Sequence, residues 1–294
     1  MPSCSSCSSA SSCSSAGNGG CDDNMARQNQ AIAVTLSRIR HKIFVMSGKG
    51  GVGKSSVTVN TAAALARRGA KVGVLDVDLH GPSVPNLLGI TSGVEMDAGG
   101  EFMLPAPYND NLSVISMDSF LQDRNQAVLW RGPKKGAAIR QFIADVKWGE
   151  LDFLLIDSPP GTGDEHMTVL QTIPDALCVV VTTPQKISLA DVRKAINFLE
   201  HANAPVLGVV ENMSGLVCPN CKTTIDIFKK GGGEELAKNC GLAFLGAVPL
   251  DPATVVAADR GVPIVYLEDE CPAKTAFLAL ADAIAAAADS HISR

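Results

Sequence analysis

The sequence predicts an α/β fold, a doubly wound, mostly parallel sheet with flanking helices, preceded by a disordered tail. Three observations carry this. From Ile43 onward, short β-branched runs alternate with Ala- and Leu-rich stretches of helical length, as in successive βαβ units. A glycine-rich segment joins the first such run to the first helical stretch. Residues 1–24 are dominated by Ser, with Gly, Asn and four cysteines, and hold almost no large apolar side chain to offset the entropy of ordering. With 294 residues, 46% of them hydrophobic, the chain can bury one large core, so a single domain over 25–294 is expected behind the tail.

In chain order, strands are expected at Ile43–Met46, Lys71–Leu75, Leu112–Ser116, Phe153–Ile156, Ala176–Val181, Val206–Val210 and Ala243–Ala247. Helices are expected near 54–68, 134–146, 164–172, 188–201 and 231–239, with Gly69 stopping the first through a left-handed C-cap. An Ala-rich helix over 273–288 closes the chain; it carries Asp282 and Asp289 rather than a basic face, against the pattern of a membrane-surface helix.

Lys and Arg number 25 against 30 Asp and Glu, a net charge of -5 with a pI near 5.5. No strong field draws such a chain to phosphate backbones or anionic lipids, so nucleic acid and membrane are not expected as partners. No basic and apolar leader opens the sequence, and no apolar run reaches the ~18 residues of a membrane span. A cytoplasmic protein is expected. In that reducing compartment its nine cysteines read as metal ligands, redox groups or buried thiols rather than disulfides.

Gly48-Lys49-Gly50-Gly51-Val52-Gly53-Lys54-Ser55 fits G-x-x-x-x-G-K-[ST], follows a predicted strand and, with Ser56, opens a predicted helix. Glycines let the backbone turn its N–H groups around phosphates, and the helix N-terminus adds a favourable dipole. Lys54 can reach the β- and γ-phosphates of ATP, and Ser55 can ligate Mg²⁺. A ligand-free Gly-rich turn is the bland alternative, and strand, spacing and helix together count against it. Lys49 is unusual: a second lysine at the loop's start points away from its own phosphates or across to a neighbouring subunit, unless it is only a solvated loop residue.

Acids end two further strands, on the side where open parallel sheets bind ligands. Asp76 and Asp78 lead into the Leu79-His80-Gly81-Pro82-Ser83 turn; Asp78 is favoured for positioning the attacking water and Asp76 for supporting Mg²⁺. Asp157, after Leu154-Leu155-Ile156, fits an aspartate that holds Mg²⁺ through water, and Gly161 and Gly163 let the following loop change shape. Helix N-caps or turn residues are the alternative for each acid.

Together these segments resemble the deviant Walker A P-loop NTPases of the MinD/ParA class, with Lys49 matching that class's signature lysine, from about residue 40 to the end. Asp78-Leu79-His80-Gly81-Pro82-Ser83, Asp157-Ser158-Pro159-Pro160-Gly161-Thr162-Gly163-Asp164 and Cys218-Pro219-Asn220-Cys221 look most like the Mrp/ApbC branch of iron–sulfur cluster carrier ATPases. The resemblance implies a homodimer that sandwiches ATP, with Lys49 of one subunit reaching the nucleotide of the other. It also implies adenine recognition by Asn212, in Glu211-Asn212-Met213, and packing of the base on Pro249, in Val248-Pro249-Leu250.

The Cys218/Cys221 spacing lets both thiolates face one metal, in an insertion near 214–228. A [4Fe-4S] cluster or a structural zinc generally takes four protein ligands, so this stretch is two short. A two-fold axis would complete the set with the same pair from a second copy, giving a bridging cluster. Zinc on the same thiolates and a reversible dithiol stay open from residue types alone; the resemblance favours the cluster. Cys178 reads as a core thiol, and Cys240 and Cys271 as cysteines without a role. Cys4, Cys7, Cys13 and Cys21 resemble, in a different order of spacings, a four-cysteine N-terminal cluster segment of some eukaryotic relatives; a loose metal trap or low complexity are the alternatives.

The expected function is a slow, homodimeric ATPase that binds ATP, Mg²⁺ and a subunit-bridging [4Fe-4S] cluster and transfers the cluster to apo iron–sulfur client proteins. Competing readings are a MinD/ParA-like positioning ATPase, a metal-insertion accessory ATPase for one client, and a small-molecule kinase. None of the sequence features points to an acceptor pocket for the last.

Overall fold

The computed structural model describes residues 20–78, 81, 83–117, 132–218, 220–221 and 223–292. Cys4, Cys7 and Cys13 lie outside these residues, as do Leu79, His80, Pro82 and Pro219, and of Cys21 only the backbone is described.

Among the described residues nine strands build one sheet. Seven run parallel in the order β11 (Phe244–Leu250), β9 (Val206–Val217), β8 (Leu177–Thr182), β1 (Ile39–Ser47), β7 (Leu151–Asp157), β2 (Val72–Asp76) and β6 (Leu112–Ser116). Two short antiparallel strands border them, β5 (Ala106–Asn109) on β6 and β10 (Thr224–Ile225) on the far end of β9. A separate pair joins β3 (Glu95–Met96) to β4 (Met103–Leu104). The helices are α1 (Gly20–Ser37), α2 (Lys54–Arg67), α3 (Val84–Leu87), α4 (Gly132–Asp145), α5 (Asp164–Thr172), α6 (Lys186–His201), α7 (Gly232–Asn239), α8 (Pro252–Asp259) and α9 (Pro272–Ile292).

Alternation along the central strand sorts the core into two faces. Ile43 and Val45 of β1 pack with Leu65 of α2 and Phe277 and Ile284 of α9. Phe44 and Met46 pack with Ile139 and Ile143 of α4, Val169 of α5 and Leu199 of α6. Both faces are covered, which is why the strands read as continuous apolar runs.

Each of the seven expected strands and six expected helices is present. Gly69 takes φ +91 and donates its N–H to Ala66 O at 3.0 Å, stopping α2 as expected. The departures have physical causes. Helical backbone begins at Gly20, inside the stretch whose composition reads as tail; α1 buries only Ile32 and Leu36, too thin a stripe to register as periodicity. β1 starts four residues before its expected beginning because His41 and Lys42, which read as polar interruptions, are buried against acids: His41 Nε2 lies 3.0 Å from Asp289 and Lys42 Nζ 2.8 Å from Asp175. Asp289 and Asp282 of α9 thus have basic partners, Asp289 the buried His41 and the exposed Arg40, and Asp282 the exposed Arg68. α8 is capped by Asp251, whose carboxylate accepts the Ala253 N–H at 3.0 Å, with Pro252 at its first position.

Candidate functional site

The loop from Gly48 to Gly53 closes the C-terminal end of β1 and feeds α2. Two of its glycines are required by packing: a Cβ at Gly48 would collide with the backbone of Asp191 and Val192 in α6, and Gly53, at φ +79, faces the side-chain amide of Asn212. With Val52 buried beneath them, Lys49, Gly50, Gly51, Gly53, Lys54, Ser55 and Ser56 line a cleft of about 360 Å³, which Asp78, Gly81, Leu87 and Pro160 close from the other side.

Beneath the cleft the predicted groups converge on Asp157, which is fully buried. Its Oδ2 lies 2.7 Å from Lys54 Nζ and accepts from Ser55 Oγ at 2.6 Å. Its Oδ1 accepts from Thr58 Oγ1 at 2.7 Å, a partner not expected from the motif. Thr58 sits one helical turn past Lys54, and that spacing toward a strand-end acid is the signal that would have found it. The donor set suits a divalent ion bound by the Ser55 hydroxyl with a carboxylate behind it.

The two acids of β2's end part company. Asp78 reaches the cleft and accepts the Gly81 N–H at 3.2 Å. Asp76 does not line it: fully buried opposite Asp157 in the β2–β7 register, it accepts from Asp78 N–H and Ser116 Oγ, each at 3.0 Å. Burial, and then the charge of Asp157, push the Asp76 carboxyl up to about 8. Asp76 therefore stands behind the cleft rather than on it, away from the metal-supporting place expected for it. Lys49 is half-buried at the cleft, and its ammonium has no ion-pair partner among the described residues.

A second cavity, about 220 Å³, adjoins the cleft at Gly53, Ser56 and Leu87. Asn212, Met213, Val248, Pro249 and Leu250 line it, and Asn212 Nδ2 donates to Val52 O at 2.9 Å. Charged groups at one end and an apolar slot with an amide at the other match the two halves of a nucleotide.

Asn212 lies on β9, which runs on to Val217, seven residues beyond the strand expected there. Polar Glu211, Asn212 and Ser214 interrupt its apolar run, yet Glu211 is buried, accepting from Ser214 Oγ and from the Gly231 and Gly233 N–H groups. Beyond Val217 the chain turns, Cys218 N–H donating to Thr223 O at 3.0 Å, and returns as β10. Cys218 is half-buried and Cys221 exposed at the tip of this hairpin. The Thr223 hydroxyl and backbone, followed by Cys218, draw the Cys221 thiol down to about 7, so it is readily a thiolate. Among the described residues no third cysteine, histidine or acid joins the pair as a metal site. Cys178 is fully buried in β8 and burial pushes its thiol up to about 12; Cys240 and Cys271 lie elsewhere, partly buried.

A glycine-rich loop between β1 and α2, with its lysine and serine drawn onto a strand-end aspartate beside a base-sized slot, defines a P-loop NTPase. The chain belongs to the ParA family described as NUBPL iron-transfer P-loop NTPase, whose model matches residues 38–285. It is 50% identical over 254 residues to a protein of Methanocaldococcus jannaschii named iron-sulfur cluster carrier protein, covering 86% of this chain and 87% of that one. It is 46% identical to the cytosolic Fe-S cluster assembly factor nubp2 of Danio rerio, covering 85% and 95%. Among solved structures, a nucleotide-binding protein of Archaeoglobus fulgidus in complex with ADP superposes with a TM-score of 0.70 at 36% identity, over 83% of this chain and 98% of that one. The cell division ATPase MinD of Pyrococcus furiosus superposes at 0.62 with 25% identity, over 83% and 98%. Among the described residues no helix is long and apolar enough to cross a membrane.

Proposed function

We propose that this protein is a cytoplasmic, ATP-hydrolysing iron–sulfur cluster carrier that works as a homodimer. Cys218 and Cys221 of two copies hold one bridging [4Fe-4S] cluster, which is passed to apo-proteins. The observation that carries the reading is a thiol pair, two ligands short of a site, at the tip of a hairpin grown from β9, the strand that also bears Asn212. Cys218 follows directly on the end of β9, whose last stretch is bulged at Met213 and Gly215 beyond Asn212, so an event at the nucleotide has a short path along the chain to the cluster. The names of the relatives, iron-sulfur cluster carrier protein and cytosolic Fe-S cluster assembly factor, support the cargo.

On the nucleotide side, Lys54 and the loop N–H groups bind the phosphates. Ser55, backed by Asp157, holds Mg²⁺, which when bound neutralises phosphate charge. Asp78 orients the attacking water, Lys49 acts on the partner's nucleotide, and Asn212 and Pro249 hold the base. Turnover is slow, as suits a switch that gates loading or release rather than a metabolic catalyst. A positioning ATPase of the MinD kind would leave the cysteine pair without a task.

Anaerobic reconstitution with iron and sulfide tests the cargo: about four irons and four sulfides per dimer are expected, with the chromophore lost in Cys221→Ala while nucleotide binding stays. Stoichiometric zinc in place of iron, or an unchanged cluster in Cys221→Ala lacking residues 1–24, overturns the reading.

A further inference from the structure

His166 stands behind the loop that borders the phosphate end of the cleft. It occupies the third position of α5, is 1% exposed, and presents ring edges to Phe44 and Phe198. Both ring nitrogens are committed to one loop. Nδ1 accepts the Gly163 N–H at 3.2 Å, which leaves the proton on Nε2, and Nε2 donates to Pro159 O at 3.0 Å. One small ring thus ties together the two feet of the Pro159–Gly163 turn.

Between those feet the turn is held on its other side by β1. Gly161 N–H donates to Ser47 O at 3.1 Å, and Ser158 N–H to Val45 O at 3.2 Å. Pro160 lines the phosphate cleft, close enough that a Cβ on Gly50 would touch it at 3.7 Å. Gly161, at φ +87, has open space around it, so the crest of the turn has few restraints apart from these anchors. Burial pushes the His166 pKa down to about 4; Pro159 and Glu165 oppose the shift and Lys54 adds to it. The ring is neutral at ordinary pH and can serve as acceptor and donor at once. Capping of α5 accounts for the first bond, a task that Glu or Gln commonly performs at this position. It does not account for the second, which reaches seven residues back to a carbonyl next to the cleft.

We propose that His166 is a positioning residue for ATP turnover, fixing where Pro160 and Gly161 meet the phosphate end of the cleft. This rests on the ATPase reading above. The ring touches no reacting atom and acts only through the loop.

The test uses the full chain carrying His166→Ala, which loses both bonds, or His166→Gln, whose amide N–H keeps a donor for Pro159 O. Three quantities are measured: steady-state ATP turnover, affinity for a fluorescent ADP analogue, and hydrogen exchange of the peptide spanning 158–165. Expected are a fall in kcat of about tenfold in His166→Ala with analogue affinity within about twofold of wild type, and partial recovery of kcat in His166→Gln. Exchange should rise in 158–165 and nowhere else. Unchanged kcat in His166→Ala overturns the proposal. So does a loss of turnover that follows a loss of nucleotide affinity and melting temperature in both variants, the signature of a merely structural histidine. If wild-type protein hydrolyses no ATP, the ATPase reading falls by itself; the exchange measurement still reads the hold on the loop, and unchanged protection of 158–165 in His166→Ala overturns that.

Discussion

Asp157 is the residue on which the nucleotide site turns. Lys54, Ser55 and Thr58 all point hydrogens at the two oxygens of this fully buried carboxylate. Thr58 supplies the one bond to Oδ1 that no motif residue can replace. Thr58→Val keeps the volume and removes the hydroxyl, leaving a buried carboxylate oxygen short of a donor at a cost of about 1–3 kcal/mol. Urea unfolding of nucleotide-free protein should register that loss through a lower midpoint at unchanged slope; an unshifted midpoint would mean that Thr58 carries no such bond in solution. Lys54 and Ser55 were legible from the strand–loop–helix motif, because a phosphate loop is a local arrangement, and Asp157 from its place at the end of a strongly apolar run. Thr58 and His166 were not, since each matters only through a partner about a hundred residues away or a fold of the loop behind it.

At the scale of elements, carboxylates at helix starts set how neighbouring pieces dock. Glu211 of β9 gathers the first N–H groups of α7, and Asp251 does the same for two helices at once, accepting from Ala253 at the start of α8 and from Ala273 in α9 at 3.3 Å. Asp251→Ala removes both caps and should cost about 1–2 kcal/mol. At roughly 3 °C per kcal/mol, the thermal midpoint should fall by a few degrees; a midpoint within error of wild type would show that the caps are dispensable. The strand cores and the Ala-rich α9 were legible because they are periodic. The extension of β9 was not: Met213 and Gly215 take positive φ within it, and Glu211 and Asn212 find partners on other elements rather than in solvent.

For the whole molecule, the decisive question is what a second copy adds. Lys49 sits at the cleft without an acidic partner among the described residues, and under the proposed function the cysteine hairpin would supply half of a metal site. Lys49→Ala should lower ATP hydrolysis about tenfold while leaving nucleotide binding nearly intact, with turnover per subunit rising with protein concentration in the wild type alone. Unchanged turnover in that variant would remove the cross-subunit role of this lysine. From the sequence by itself came the parallel α/β sheet, the phosphate loop and the cysteine pair, because each is written in contiguous residues or in a short period. Tertiary structure alone decided that Asp78 and not Asp76 faces the cleft, that His41 and Lys42 belong inside a strand, and that His166 grips the loop beside Pro160. Those outcomes depend on which distant side chain offers a buried polar group its partner, and pairing across the fold leaves no trace in local composition or periodicity.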